Sequence, residues 1–347
     1  MHPMTINPRS DEEGPAPELS PSIPSPVLIT GAGGFIGSHL AERCVERGLR
    51  VKAFLHYNSN NRWGWLEESP VRDEIEVIMG DVRDYDSVYR AVQGCRCVLH
   101  LAALIGIPYS YVSPLAYIRT NVEGTYNVLE SARQLGLERV AVTSTSETYG
   151  TAQYVPIDEK HPAVGQSPYA ATKIGADELA LSYYRSFELP VWVVRPFNTY
   201  GPRQSSRAFI PAVISQILAG VRRLKLGNLL PTRDLTFVKD TVAGFLAIAA
   251  CDGLVGGATN IGMRHEITMG DLVDKIAGLL GAEVEIEIDR QRVRPGASEV
   301  ERLFCDNTRL REATGWFPNE DLDSGLAQTI EWIRDHRSIY KPALYTL

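Results

Sequence analysis

The stretch VLITGAGGFIGSHLAE, Val27 to Glu42, decides the fold. An apolar run ends in a glycine-rich turn, and a helical pattern begins at once. Gly31, Gly34 and Gly37 are evenly spaced through that turn. Strand, glycine turn and helix in this order are what a dinucleotide site requires. Glycine allows a tight turn and close approach of a pyrophosphate, and the helix N-terminus offers free N–H groups and a favourable dipole. Phe35 and Ile36 open that helix, so residues 31–37 form the expected phosphate cradle. The plain alternative, a glycine turn that binds nothing, does not explain the flanking strand and helix.

Outward from this unit, RVKAFLH, EIEVIMGD, CRCVLHLAA, RVAVTSTS and PVWVVRP read as buried strands. Helical patterns separate them, including YDSVYRAVQG, one long helix over Tyr117–Leu135 and another over Pro168–Phe187. Apolar strands alternating with helices predict an α/β chain with a Rossmann-like, doubly wound parallel sheet. Past Pro202 the pattern loosens into a smaller mixed α/β substrate-binding region. The expected division is a disordered tail at 1–25, a dinucleotide-binding domain at 26–202 rejoined by about 238–252, and an interleaved substrate region at 203–237 and 253–347.

Composition narrows the function. At 347 residues, 44% hydrophobic, 22% charged and net charge −7, the chain suits an ordinary globular protein and not a nucleic-acid binder. No apolar run approaches the ~20 residues of a membrane span. The first 25 residues lack a signal-peptide core, and five cysteines form no framework. Both point to a cytoplasmic protein with reduced thiols. Cys95 and Cys97 lack zinc-site spacing and the seven histidines are scattered, so no metal is expected.

Two segments carry chemistry. Tyr169 and Lys173 in SPYAATK lie four apart, on one face of a helix. A nearby ammonium and a cationic nicotinamide favour the phenolate. Lowering a phenol by ~3 pH units takes about 4 kcal/mol, which two close positive charges in a dry site supply. The phenolate can then take a hydroxyl proton while hydride leaves the same carbon. The second segment is TSTSETYG, Thr143 to Gly150, in which Glu147 is the only group charged at neutral pH. At the end of the second strand, FLHYNSNNRW carries no acid for a ribose 2′-hydroxyl. Asn58 suits a hydroxyl and Arg62 a 2′-phosphate, so the residues leave NAD and NADP both open.

The glycine spacing, a strand ending in Thr145, and the Tyr169–Lys173 pair occur in the order of the short-chain dehydrogenase/reductase superfamily. The chain resembles its extended branch, which works on nucleotide sugars, from Val27 to about Trp332. The resemblance implies NAD, with Asp81 and Val82 beside adenine and Leu101, Ala102 and Ala103 along the dinucleotide. It places Phe197 near nicotinamide and Asn198 near the sugar-nucleotide phosphates. Arg233 in TRDLTFVKD and Arg302 in RPGASEVERLFCD become diphosphate or base contacts. A homodimer through Tyr117–Leu135 and Pro168–Phe187 is usual in that branch.

The resemblance also gives TSTSETYG a role. Thr145 is expected to hydrogen-bond the hydroxyl being oxidised. Many hexose 4,6-dehydratases have Asp-Glu where this chain has Ser146-Glu147, a pair similar to the GDP-mannose type. Glu147 would take the C5 proton and then protonate the departing C6 oxygen, with Ser146 positioning that hydroxyl. Nucleotide-glucuronate decarboxylases resemble the same Thr-Ser-Glu, so the motif leaves dehydration and decarboxylation open, and a 4-epimerase is a further alternative. LHYNSNNRWGWLE, HLAALIGIPYSY and GNLLPTRDLTFVKD are similar to nucleotide-activated N-acetylglucosamine 4,6-dehydratases of legionaminic acid-type pathways. There Ile105 and Tyr109 would wall the sugar. Outside enzymes, a nucleotide-sensing Rossmann protein is the alternative, though a sensor needs no activated phenol.

Overall fold

The computed structural model describes residues 23–342. Its strands are β1 (Val27–Thr30), β2 (Val51–His56), β3 (Ile75–Gly80), β4 (Cys97–His100), β5 (Arg139–Thr143), β6 (Val191–Pro196), β7 (Asn198–Tyr200), β8 (Arg223–Leu226), β9 (Thr232–Phe237), β10 (Ala258–Ile261), β11 (Glu266–Thr268) and β12 (Glu285–Ile288). Seven form one sheet in the order β10-β6-β5-β4-β1-β2-β3. Every pairing in it is parallel. The chain reverses direction across the sheet between β1 and β4, the crevice where open α/β sheets bind ligands.

Side-chain alternation explains why the strands are apolar throughout. Val27 and Ile29 pack on Leu40, Ala41 and Cys44 of the Phe35–Glu46 helix and on Val242 and Phe245 of the Val238–Ala250 helix. Leu28 between them faces the other way, towards Val128, Leu129 and Ala132 of the Gly124–Gln134 helix and Ala180 of the Pro168–Phe187 helix. Both faces of the sheet are covered at its centre, so all four residues of β1 are buried.

Three expectations need adjustment. Residues 1–22 of the expected tail lie outside the described residues, but Ile23 is buried in the core and Ser25 accepts a hydrogen bond from the Arg50 N–H. The single helix over Tyr117–Leu135 is three pieces: Pro114–Tyr117, a wide π-helical turn over Ile118–Glu123, and Gly124–Gln134. Within the wide turn the Asn121 side chain faces inward. It accepts from the Leu104 N–H at 2.8 Å and donates to the Leu104 carbonyl and the Thr172 hydroxyl, both at 3.0 Å. Finally, the return to the large sheet runs past residue 252, because β10 pairs with β6.

The smaller region has its own core. β7 and β9 are parallel, β9 and β11 antiparallel, and β8 pairs in parallel with β12. The Phe209–Leu218, Met269–Leu279 and Leu322–Asp335 helices close a cluster around Val213, Phe237, Ile276 and Leu326. This region begins at β7, which follows directly on β6.

Candidate active site

The glycine turn is built for close approach. Gly31 has φ +71°, and a Cβ there would lie 2.9 Å from the Ala102 backbone nitrogen. A Cβ on Gly37 would lie 2.2 Å from the Gly31 carbonyl oxygen. Gly34 caps the Phe35–Glu46 helix without a side-chain bond, so the first N–H groups at Phe35 and Ile36 stay open to a ligand. These features fit a dinucleotide pyrophosphate. Leu101 and Ala102 donate their N–H groups to the Thr30 hydroxyl at 3.1 Å each, which holds 101–103 against the turn.

That hydroxyl begins a buried relay. With two N–H groups on its oxygen, Thr30 donates to His100 Nδ1 at 2.7 Å. His100 Nε2 then donates to Thr125 at 3.1 Å, and Thr125 donates to the Asn121 carbonyl at 2.6 Å. Burial, followed by the charge of Lys173, pushes the imidazole down to about 3, so it is neutral. The sequence reading missed His100. An imidazole inside an apolar strand, one residue before LAA, was the available signal.

Beyond β2 the structure assigns side chains differently from the expectation. The Asn58 carboxamide is spent on its own loop, accepting from the Arg62 N–H and donating to the His56 and Arg62 carbonyls. It is therefore not free for a ribose hydroxyl. Arg62 is exposed at the tip of that loop. Asp81 is clasped by Arg83 through bonds of 2.5–3.1 Å, and that bonding holds its carboxyl below the usual range. Val82 is buried beside it.

The candidate catalytic groups converge at the ends of β5 and the Pro168–Phe187 helix. Ser167 caps that helix by accepting from the Ala170 N–H, which fixes its first turn and hence Tyr169. Lys173 donates to the Thr143 carbonyl at 2.5 Å. Burial lowers its ammonium to about 8, against an upward pull from Asp177. Tyr169 is raised above its ordinary value, first by burial and then by Glu147 and Asp177, while Thr145 stabilises its phenolate. Thr145 is the N-cap of a short turn over Ser146–Tyr149, accepting from the Glu147 N–H at 3.3 Å. Ser146 and Glu147 are both buried, yet the Glu147 carboxylate has no hydrogen-bond partner among the described residues.

Opposite this turn stands Arg233, 6% exposed. Its guanidinium donates to the Thr232 carbonyl at 2.9 Å and to Glu299 at 3.4 Å, and Glu147 and Arg294 act on it from nearby. Burial nevertheless leaves its pKa lowered. Asp234, its neighbour, accepts from the N–H groups of Met263, His265 and Cys305 and so ties β9 to two loops. Arg302 is committed elsewhere: Nε donates to both Glu266 oxygens at 3.1 and 3.0 Å, and Nη2 to one at 2.5 Å. Asn198 has a buried amide oxygen without a partner. The Phe197 ring is sealed among Tyr149, Ile157 and Leu303, so it presents no open face to a nicotinamide. Ile105 and Tyr109 are exposed, and the Tyr111 hydroxyl meets Ser298 at 2.6 Å.

A buried phenol and a buried ammonium one helical turn apart, a hydroxyl facing that phenol and an unbonded carboxylate can together perform hydroxyl oxidation followed by proton transfer at a neighbouring carbon. Among the described residues, no group of three His, Cys, Asp or Glu is placed to hold a metal ion. No helix there is long and apolar enough to cross a membrane.

Comparison with known proteins places the chain in a family. The GDP-mannose 4,6 dehydratase family model matches residues 28–329, and the chain belongs to that family. It is 31% identical over 320 residues to a dTDP-glucose 4,6-dehydratase of Streptomyces antibioticus, covering 91% of this chain and 94% of that one. It is 33% identical over 320 residues to a UDP-N-acetyl-alpha-D-glucosaminuronate decarboxylase of Bacillus cytotoxicus, covering 89% and 97%. Among solved structures, DesIV, the dTDP-glucose 4,6-dehydratase of Streptomyces venezuelae with NAD bound, superposes with TM-score 0.82 at 29% identity, covering 91% and 99%. The chain is an enzyme of the nucleotide-sugar dehydratase family and its related epimerases and decarboxylases.

Proposed function

We propose that this enzyme is an NAD-dependent 4,6-dehydratase of a nucleotide-activated hexose, N-acetylglucosamine or a close relative, forming a 4-keto-6-deoxy sugar. The observation that carries the reading is Glu147. Its carboxylate is buried on the turn next to Thr145, acts on Tyr169, and has no hydrogen bond of its own among the described residues. A 4-epimerase needs no such group, because rotation of a ketone transfers no carbon-bound proton.

Gly31, Gly34, Gly37 and the open helix start would hold the pyrophosphate, with Lys173 on the nicotinamide ribose side. NAD held there would supply the hydride-accepting and hydride-donating chemistry of the cycle. Tyr169 takes the C4 hydroxyl proton, and Thr145 orients that hydroxyl. With C4 a ketone, the C5 proton is acidic and Glu147 removes it. Glu147, now neutral, protonates the C6 oxygen, which leaves as water with Ser146 orienting it.

An uncharged C6 hydroxymethyl suits the site better than a uronate. Arg233 and Arg294 already share Glu299, and Glu147 faces Arg233. A substrate carboxylate would add a third negative charge to two positive ones. The exposed Ile105 and Tyr109 fit an N-acetyl group. Ile118, Tyr126 and Phe187 are exposed along the helices proposed to form a homodimer. Five free thiols suit a reducing cytoplasm.

The test is mass analysis of UDP-, GDP- and dTDP-sugars, including N-acetylglucosamine and glucuronate forms, after incubation with enzyme and NAD. Loss of one water from a hexose supports the reading. Loss of carbon dioxide from the uronate, or inversion at unchanged mass, replaces it. Sedimentation showing only monomer would remove the dimer.

A further inference from the structure

Asp177 lies four residues after Lys173 and eight after Tyr169, on the same helix face. It is 2% exposed. One carboxylate oxygen accepts from the Ser144 hydroxyl at 2.6 Å and from Arg195 at 2.7 Å, while the other is buried without a partner. Ser144 stands between Thr143, whose carbonyl takes the Lys173 ammonium, and Thr145, which faces the phenol.

Arg195 carries the connection onward. From β6 it donates to the Tyr149 hydroxyl at 2.8 Å, and its guanidinium lies 4.8 Å from that ring centre. Tyr149 donates in turn to Asn260 on β10 at 2.7 Å. Tyr149 also ends the turn that carries Ser146 and Glu147. One carboxylate therefore ties the helix of Tyr169 and Lys173 to the strands and the turn that present Thr145 and Glu147.

Stability alone gives little reason for this pair. A buried ion pair is often no more stabilising than apolar residues of the same volume. Its position beside a buried lysine gives a reason. Around Lys173 and Tyr169 stand His100 from β4, which is neutral, Tyr117 at 6.3 Å ring to ring, Glu147 from the turn and Asp177 from their own helix. Arg195 reaches Asp177 from β6. Of these charges, Asp177 is the one that acts on Lys173.

We propose that Asp177, fixed by Ser144 and Arg195 one helical turn from Lys173, is a positioning residue that supplies the Lys173 ammonium with its opposite charge and aligns the strand end bearing Thr145 and Glu147 with it. This rests on Tyr169 and Lys173 being the acid–base pair proposed above. A lysine that lost its charge would no longer favour the phenolate, and the oxidation step would stall.

The experiment follows the Lys173 side chain itself, so no sugar substrate enters it. Full-length enzyme with saturating NAD is labelled at lysine Cε, and the Lys173 signal is assigned by its loss in Lys173→Arg. Asp177→Asn should lower the Lys173 titration midpoint by about one pH unit or more, the scale of a lost opposite charge. Asp177→Glu should restore it. Should Asp177→Asn not fold, the double variant Asp177→Asn with Arg195→Gln removes both buried charges together, and its midpoint should still fall, though by less, because a neighbouring positive charge is lost as well. A midpoint at the parent value in either variant overturns the proposal. So does a double variant that cannot fold, because the pair would then serve the architecture alone. The sugar panel can fail while the lysine titration succeeds, and the reverse, so the two readings are separable.

Discussion

Replacing Lys173 by methionine should make the protein more stable while abolishing its chemistry. Lys173 is 5% exposed, and burial brings its ammonium from 10.5 to about 8. Holding that charge in the folded chain at pH 7 therefore costs about 3 kcal/mol. Methionine removes the charge at similar volume. It also removes the hydrogen bond to the Thr143 carbonyl, a loss of about 1 kcal/mol. The net gain at pH 7 is about 2 kcal/mol. The pH dependence has a definite sign. Below pH 8 both folded and unfolded parent chains hold the proton, so the cost is constant. Between about 8 and 10.5 the unfolded chain holds a proton that the folded chain has released, so parent stability rises with pH. Methionine has no such rise. Urea unfolding of both proteins without added cofactor, at pH 7 and pH 10, reads the two effects. The variant should lead at pH 7 and the gap should close by pH 10. A variant less stable at pH 7, or a gap that does not change with pH, would refute the idea that Lys173 is held charged against its surroundings.

Three further substitutions test other parts of the site. Glu147→Gln should slow dehydration by at least ~100-fold, the lower range for a lost general acid–base group. Reduced cofactor should still form on mixing with substrate, since Thr145, Tyr169 and Lys173 remain; parent-rate water loss would contradict the role of Glu147. Gly37→Ala places a Cβ 2.2 Å from the Gly31 carbonyl oxygen and must open the turn. Calorimetric titration should show NAD affinity reduced at least ~10-fold, about 1.4 kcal/mol, and parent affinity would mean the turn is not the pyrophosphate cradle. Thr30→Val leaves the Ala102 N–H and His100 Nδ1 without their shared partner. Unfolding stability should fall by about 2–4 kcal/mol, and a loss under about 1 kcal/mol would place water in the relay.

What the sequence makes legible follows from how local each feature is. The glycine turn and the Tyr169–Lys173 pair are each fixed by a few neighbouring residues, so spacing alone reveals them. β7 and β10 are short, and their place depends on partners far along the chain, so no period marks them. Asn58 and Arg302 show the limit from the other side. Each has a plausible type for binding, but Asn58 closes its own loop and Arg302 meets Glu266, 36 residues away. Polar competition of this kind leaves no trace in spacing. The π-helical turn is similar: its cause is Asn121 reaching back to Leu104, a contact outside the helix pattern.

The charges around TSTSETYG follow the same logic, and they explain why this stretch is hard to read alone. Quoted by itself, it contains one carboxylate and five hydroxyl residues before Tyr149. In the fold, Ser144 meets Asp177, Tyr149 meets Arg195, and Glu147 faces Arg233. Those three partners come from a helix, from β6 and from β9. The two ends of the segment and its middle therefore serve different purposes. Ser144 and Tyr149 anchor it to the buried ion pair, and the proposed catalytic residues Thr145, Ser146 and Glu147 lie between them. A serine in place of an acid at 146 becomes intelligible in this setting. A second carboxylate beside Glu147 would face the same Arg233, already shared with Glu299, and would stand close to the phenolate that the oxidation step requires. One unbonded carboxylate acting twice asks less of a site already crowded with buried charge.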